Sequence, residues 1–163
     1  ATACEAGLAA LAAGAPILTD TAMAAAAVAP MARRTFGNQV RSVLDWAPAA
    51  APEGSTRTAA GMAAALAGQG EPGVVLIGSA PTALEVLLEL VASKAVPAPA
   101  LVIGMPVGFV GVAQSKRHLA ESGLVHMRLE GSKGGAGLVA AACNALLRSA
   151  WLQAASAPPP LIS

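Results

Sequence analysis

Along the chain, short uninterrupted apolar runs alternate with longer stretches in which apolar residues recur every three or four positions. "GVVLIG" (73–78) is the cleanest run, four apolar residues between glycines, which is the pattern of a strand buried on both faces of a parallel sheet. The stretch after it carries Leu84, Leu87, Leu88 and Val91 at the i, i+3, i+4, i+7 spacing of a helix over 82–94. The same reading predicts a helix over 2–13, with Cys4, Leu8 and Leu11 on one face and Gly14 as its stop. Further helices are expected over 21–29 (ending at Pro30), over 56–68 (capped by Ser55 or Thr56), over 112–121, and from 136 to about 153. Strands are expected in "PILTD" (16–20), "NQVRSVLD" (38–45), "ALVIG" (100–104) and "LVHMRL" (124–129), and "APAAAPEGS" (47–55) reads as a loop. About five short strands alternating with helices predict a single α/β domain over 1–153. Its expected architecture is a three-layer α/β/α stack around a mainly parallel sheet, with 154–163 as a loose tail.

In such folds ligands bind beyond the carboxyl ends of the strands, where helix N-termini point. "LTDTAM", "IGSAPTAL", "IGMPVGFVG" and "LEGSKGG" each follow an expected strand and precede an expected helix, so all four belong on one edge of the sheet. The third of these is unusual. It places Gly104, Gly108 and Gly111 around Pro106 and Phe109 without a single charge, more glycine than a plain turn needs. Glycines at this edge let backbone N–H groups approach a ligand closely. No GxxxxGK[ST] occurs, and "GMPVGFVG" lacks the GxGxxG spacing, so neither a nucleotide phosphate site nor a dinucleotide cofactor is expected.

Composition narrows the partners. The chain is 55% hydrophobic, 12% charged and 2% aromatic, with a mean hydropathy of +0.63. So little charge leaves apolar surface to be covered by a second subunit, and a homodimer is expected. Ten basic against nine acidic residues, with no basic run interleaved with aromatics, gives no reason to expect nucleic acid. Residues 95–115 are uncharged and long enough to span a bilayer, but Pro97, Pro99, Pro106 and the glycines interrupt any continuous helix. The first residues lack a basic segment and Glu5 interrupts them, so neither a signal peptide nor a membrane anchor is expected. Cys4 and Cys143 lie far apart with no CxxC or His spacing, which points to structural thiols, no metal site and a cytoplasmic setting.

Five segments, in order from about 3 to 147, resemble the precorrin-8X methylmutases (precorrin isomerases) of corrin-ring biosynthesis. "GAPILTDTAM" is similar to that family's segment with an aspartate and, three residues on, a methionine; "STRTAAGM" is similar to its Thr-Arg-Ser-Ala-Ala stretch. "IGSAPTAL" resembles its Gly-Asn-Ala-Pro-Thr-Ala-Leu, with Ser79 in place of the asparagine. "GMPVGFVGVAQSK" resembles its Pro-Val-Gly-Phe-Val-Gly loop ending in Ser-Lys, and "GSKGGAGLVAAACNAL" its Gly-Gly helix start and later Asn-Ala. Ala22 and Ala27 depart from the polar or glycine residues common there, and "ARRTFGN" has no clear counterpart. The resemblance implies an isomerase of cobalamin biosynthesis that moves a methyl group from C-11 to C-12 of a precorrin tetrapyrrole, giving a cobyrinic-acid-type product. It also implies a homodimer with sites near the subunit boundary and no consumed cofactor.

A flat apolar ring with many peripheral carboxylates calls for apolar walls and scattered donors. Met23, Val107 and Phe109 are the expected walls, with Gly104, Gly108 and Gly134 admitting backbone to the ring. Arg57, Lys116 and Lys133 are expected to receive carboxylates, and Asp20, Thr21, Thr58, Ser79 and Thr82 to contribute polar contacts. Lys116 and Arg57 are read as first-turn cations, unfavourable for a helix dipole unless an anion binds there. Asp20 and Thr82 have helix capping as their plain alternative, and Met23 and Phe109 have burial in the core. Arg33, Arg34 and Arg41 read as solvated surface. The resemblance also implies an upstream stretch of several dozen residues bearing a histidine that protonates or hydrogen-bonds a ring nitrogen. Nothing here matches that stretch, so the catalytic residue is left unassigned and corrinoid binding without turnover stands as the alternative. His118, expected on a wet helix face, and His126, expected inside a strand, are not candidates for that acid.

Overall fold

The computed structural model describes residues 2–68 and 73–157. Its elements run α1 (Ala3–Ala12), β1 (Ile17–Thr19), α2 (Ala22–Arg34), β2 (Val40–Ser42), α3 (Arg57–Gly68), β3 (Val74–Ile77), α4 (Pro81–Ala92), β4 (Leu101–Gly104), α5 (Val112–Glu121), β5 (His126–Arg128) and α6 (Ala136–Ser156). The five strands form one parallel sheet in the order β2-β1-β3-β4-β5. Alternate strand residues enter two cores. Ile17, Val74, Leu76, Leu101 and Ile103 pack with α1, α2 and α6, whereas Leu18, Val75, Ile77 and Val102 pack with α3, α4 and α5. The expected α/β/α stack is therefore what these residues build, and β3 and β4 are buried at every position because both faces are covered.

Helix starts follow the capping residues. Thr2 and Glu5 form a reciprocal capping box on α1, Thr21 accepts from Ala24 N at α2, and Thr56, not Ser55, accepts from Ala59 N at α3. Two helix ends differ from expectation. α2 does not stop at Pro30 but runs to Arg34. Proline inside a helix costs about 3 kcal/mol, yet Met31 and Ala32 beyond it pack into the core shared with α6. The carbonyl that Pro30 leaves without a donor belongs to Ala26, on the exposed side of the helix. α6 continues to Ser156, into the segment expected as a tail; residues 158–163 lie outside the described residues. β2 is shorter than expected because Val43–Asp45 turns into a 3-10 helix, and Ser42 caps that turn by accepting from Leu44 N.

Because every strand is parallel, the turns after β1, β3, β4 and β5 share one edge, as their order in the sequence required.

Candidate functional site

The sheet order reverses at β1, which lies between β2 and β3, and the crevice at such a switch point is where ligands enter open α/β sheets. Here it is filled from within. Asp20 continues β1 by donating its N–H to Leu76 O (3.0 Å). Its carboxylate accepts from Gly78 N (3.0 Å), Ser79 N (2.7 Å) and Ala80 N (2.8 Å). All three donors precede Pro81, the first residue of α4, so Asp20 holds the β3–α4 turn from the neighbouring strand, and α4 itself has no side-chain cap. Asp20 is 1% exposed. Burial raises its pKa above the ordinary 3.8, against the lowering effect of the three N–H groups. The turn it holds is tight on its other side, since a Cβ on Gly78 would lie 2.7 Å from the backbone of Ala136 at the start of α6.

Polar groups flank this turn. Thr56 Oγ1 and Thr82 Oγ1 lie 2.9 Å apart, bringing the N-termini of α3 and α4 together. Arg57 is exposed and its Nε donates to Pro48 O (2.8 Å), while Thr58 is half-buried and Ser79 exposed. Thr21, besides capping α2, receives on its carbonyl a bond from Thr19 Oγ1 (2.7 Å).

The loop after β4 presents the apolar face. Met23 at the start of α2 is 72% exposed, Phe109 90% and Val110 91%, and Val107 and Leu138 are also exposed. Gly108 and Gly111 hold this loop at φ +126° and +72°, where side chains beyond glycine are strained. Gly104 differs from its expected place in the ligand loop. It is the last residue of β4, buried, and a Cβ there would collide with Leu119 of α5. Gly134 likewise meets the protein, because a Cβ would collide with the Met105 carbonyl.

Lys116 also differs from its reading as a first-turn cation. It is the fifth residue of α5 and 1% exposed, and its Nζ donates to Gly131 O (2.8 Å) and Lys133 O (2.6 Å). Burial first, and the charge of Arg128 second, push its pKa below the ordinary value. The Lys133 side chain is exposed on the turn so held. Arg128, the last residue of β5, was not anticipated. It is half-buried and its Nη2 lies 3.2 Å from the exposed Glu130 carboxylate.

The histidines lie elsewhere. His118 keeps a solvent-accessible side chain, 42% exposed, with its Nδ1 2.8 Å from Glu85 Oε1 of α4. His126 opens β5, its Nδ1 at 2.8 Å from Leu124 O. A groove of about 550 Å³ runs beside His118, lined by Glu85, Glu89, Leu88, Val91 and Glu121 among others. Its carboxylates suit it poorly to an anionic ligand, and the carboxyl edge is the better candidate site. Among the described residues no group of three His, Cys, Asp or Glu is placed to hold a metal, and no helix is long and apolar enough to cross a membrane. Burial pushes the Cys143 thiol up to about 12, as befits a packing residue.

The model of the CbiC family, precorrin-8X methylmutase, matches residues 1–149. The chain belongs to the precorrin-8X methylmutase family. It is 48% identical over 148 residues to a precorrin-8X methylmutase of Sinorhizobium sp, covering 86% of this chain and 68% of that protein. With a cobalt-precorrin-8 methylmutase of Synechocystis sp. it shares 40% over 145 residues, 89% of this chain and 65% of the relative. A solved precorrin-8X methylmutase from Thermus thermophilus superposes with a TM-score of 0.76 at 44% identity, covering 91% of this chain and 73% of that one. The chain thus spans about two thirds of the length of these curated methylmutases.

Asp20 is the first target for testing this edge. Asp20→Ala leaves three N–H groups without acceptors and should lower unfolding stability by about 3 kcal/mol, read by chemical denaturation. In the intact protein the Asp20 carboxyl carbon should titrate above 3.8 by NMR. The stability linked to this proton is then full below the unfolded value and is lost as pH rises through the folded one. Unchanged stability in Asp20→Ala would contradict the assignment, whereas a titration at or below 3.8 would show that the three N–H groups outweigh burial.

Proposed function

We propose that the chain provides the ring-binding edge of a precorrin-8X methylmutase, an isomerase that moves a methyl group from C-11 to C-12 of a tetrapyrrole. The observation that carries this reading is the exposed apolar rim of Met23, Val107, Phe109, Val110 and Leu138 at the carboxyl edge, flanked by Arg57, Arg128 and Lys133. An apolar ring face with peripheral carboxylates matches that combination, and a nucleotide would find the switch-point amides already taken by Asp20. The relatives are named as methylmutases, which favours turnover over binding alone.

The migration breaks one carbon–carbon bond at C-11 as another forms at C-12. Nothing is oxidised, reduced or lost, so the reaction consumes no oxidant, reductant or group acceptor. Holding the ring in a reactive shape is the service such an edge can give, since fixing the reacting geometry removes entropy from the barrier. Thr56, Thr58, Ser79 and Thr82 are the polar contacts of this reading, and Thr21, Asp20, Gly104, Gly108, Gly134 and Lys116 shape the wall behind them. Neither His118, held by Glu85, nor His126, at the amino end of β5, is placed to protonate a ring at this edge.

We assign the protein to the cytoplasm, in keeping with its two free cysteines, and to a homodimer. Low charge and the exposed Phe109, Val110, Trp151 and Leu152 favour a covered surface. Sedimentation at micromolar concentration should show the dimer; a stable monomer would contradict it.

Val107→Asp would set an unpaired charge against the ring. It should weaken binding of a cobyrinic-acid-type tetrapyrrole by roughly 10- to 100-fold and lower turnover of precorrin-8X, measured by the change in absorbance. Unchanged affinity would remove the 105–111 loop from the site.

A further inference from the structure

Lys116 is the bulkiest fully buried side chain among the described residues, and it is charged. An ammonium is costly to bury unless a counter-charge meets it, yet among the described residues its partners are carbonyl oxygens of Gly131 and Lys133 and no carboxylate. Between those two carbonyls, Ser132 O accepts from Gly108 N (3.1 Å). Three successive carbonyls of the β5–α6 turn therefore face α5 and the β4–α5 loop. In a trans peptide the N–H points opposite to its carbonyl, so the N–H groups of Ser132, Lys133 and Gly134 face the other way. The turn is anchored further by Gly135 N on Met105 O (2.9 Å). It is also bordered by a second cation, Arg128, whose Glu130 partner is 84% exposed and therefore weakly bound.

A neutral donor could tie two carbonyls as well as an ammonium does. What the ammonium adds is positive charge directly behind the turn, with Arg128 beside it, and that charge is best compensated when an anion arrives on the outer face. We propose that Lys116 is a positioning residue for carboxylate recognition: from beneath, it sets the 131–133 turn so that Lys133 and the outward amides meet a peripheral carboxylate of the ring. This rests on the proposed function and names the part of the edge that reads the ring's acid groups. Lys116 acts through the turn and does not itself touch the ligand.

The test uses the full-length protein and two probes, a cobyrinic-acid-type tetrapyrrole with free carboxylates and the same ring with those groups as methyl esters. Dissociation constants are read by absorbance titration, and folding by thermal melting. The wild type should prefer the acid. Lys133→Met should lose roughly tenfold in affinity for the acid and nothing for the ester. Lys116→Met should show the same acid-selective loss, the double variant should lose no more than either single one, and Lys116→Arg, which keeps charge and donors, should recover most of it. Equal losses for acid and ester in Lys116→Met would mark a purely structural tie and overturn the proposal, as would unchanged affinity. If Lys116→Met does not fold, Lys133→Met decides, and absence of an acid-selective loss there overturns it. A wild type that binds both forms equally defeats this proposal alone, whereas one that binds neither defeats the proposed function.

Discussion

A single buried carboxylate joins the end of β1 to the turn between β3 and α4, and the geometry of the carboxyl edge depends on it. Asp20 accepts from the N–H groups of Gly78, Ser79 and Ala80. It thereby fixes the β3–α4 turn against both β1 and the start of α6, where Gly78 meets Ala136. Thr82 on the same turn then meets Thr56, which sets the N-terminus of α3. The same contact decides what the edge can bind. In many parallel sheets the crevice at the switch point receives a ligand phosphate; in this one an internal anion already occupies the amides. Binding is displaced outward, onto side chains and the two long glycine-rich loops.

Those loops divide the work. The 105–111 loop offers Val107, Phe109 and Val110 to solvent, an arrangement that hydrophobic burial alone would remove. The 130–135 turn offers Lys133, with Arg128 just before it, and turns its carbonyls inward onto Lys116 and Gly108. An apolar wall beside an electropositive one suits a flat ring with acid groups at its rim. The groove of about 550 Å³ beside His118 is lined by Glu85, Glu89 and Glu121 and so carries the opposite charge, which makes the presence of a cavity a poor guide here.

Much of the fold was legible because local pattern and tertiary fate agree. β3 reads as a strand since four apolar residues in a row need two covered faces, and α5 occupies 112–121 as its glycine boundaries require. The misreadings occur where a long-range contact overrides local chemistry. Pro30 signals an end, but packing on α6 carries α2 beyond it. Lys116 follows a glycine-rich loop and so reads as a ligand-facing cation, whereas helix geometry turns it inward to carbonyls 15 and 17 residues away. Asp20 looks like the cap of its own helix, and its real partners lie 58 to 60 residues on. Arg128 carried a signal that was passed over. It ends a strand at the carboxyl edge, paired in register with Gly104, which is a position from which a side chain can reach the site.

In the proposed complex the ring lies across the carboxyl edge. Backbone amide shifts, recorded while the isotope-labelled protein is titrated with a cobyrinic-acid-type tetrapyrrole, test that placement most directly. The perturbed amides should cluster at 21–23, 56–58, 105–111 and 130–135, with those lining the groove of Glu85, Glu89, His118 and Glu121 unmoved. Shifts concentrated in that groove, with the carboxyl edge silent, would contradict that placement.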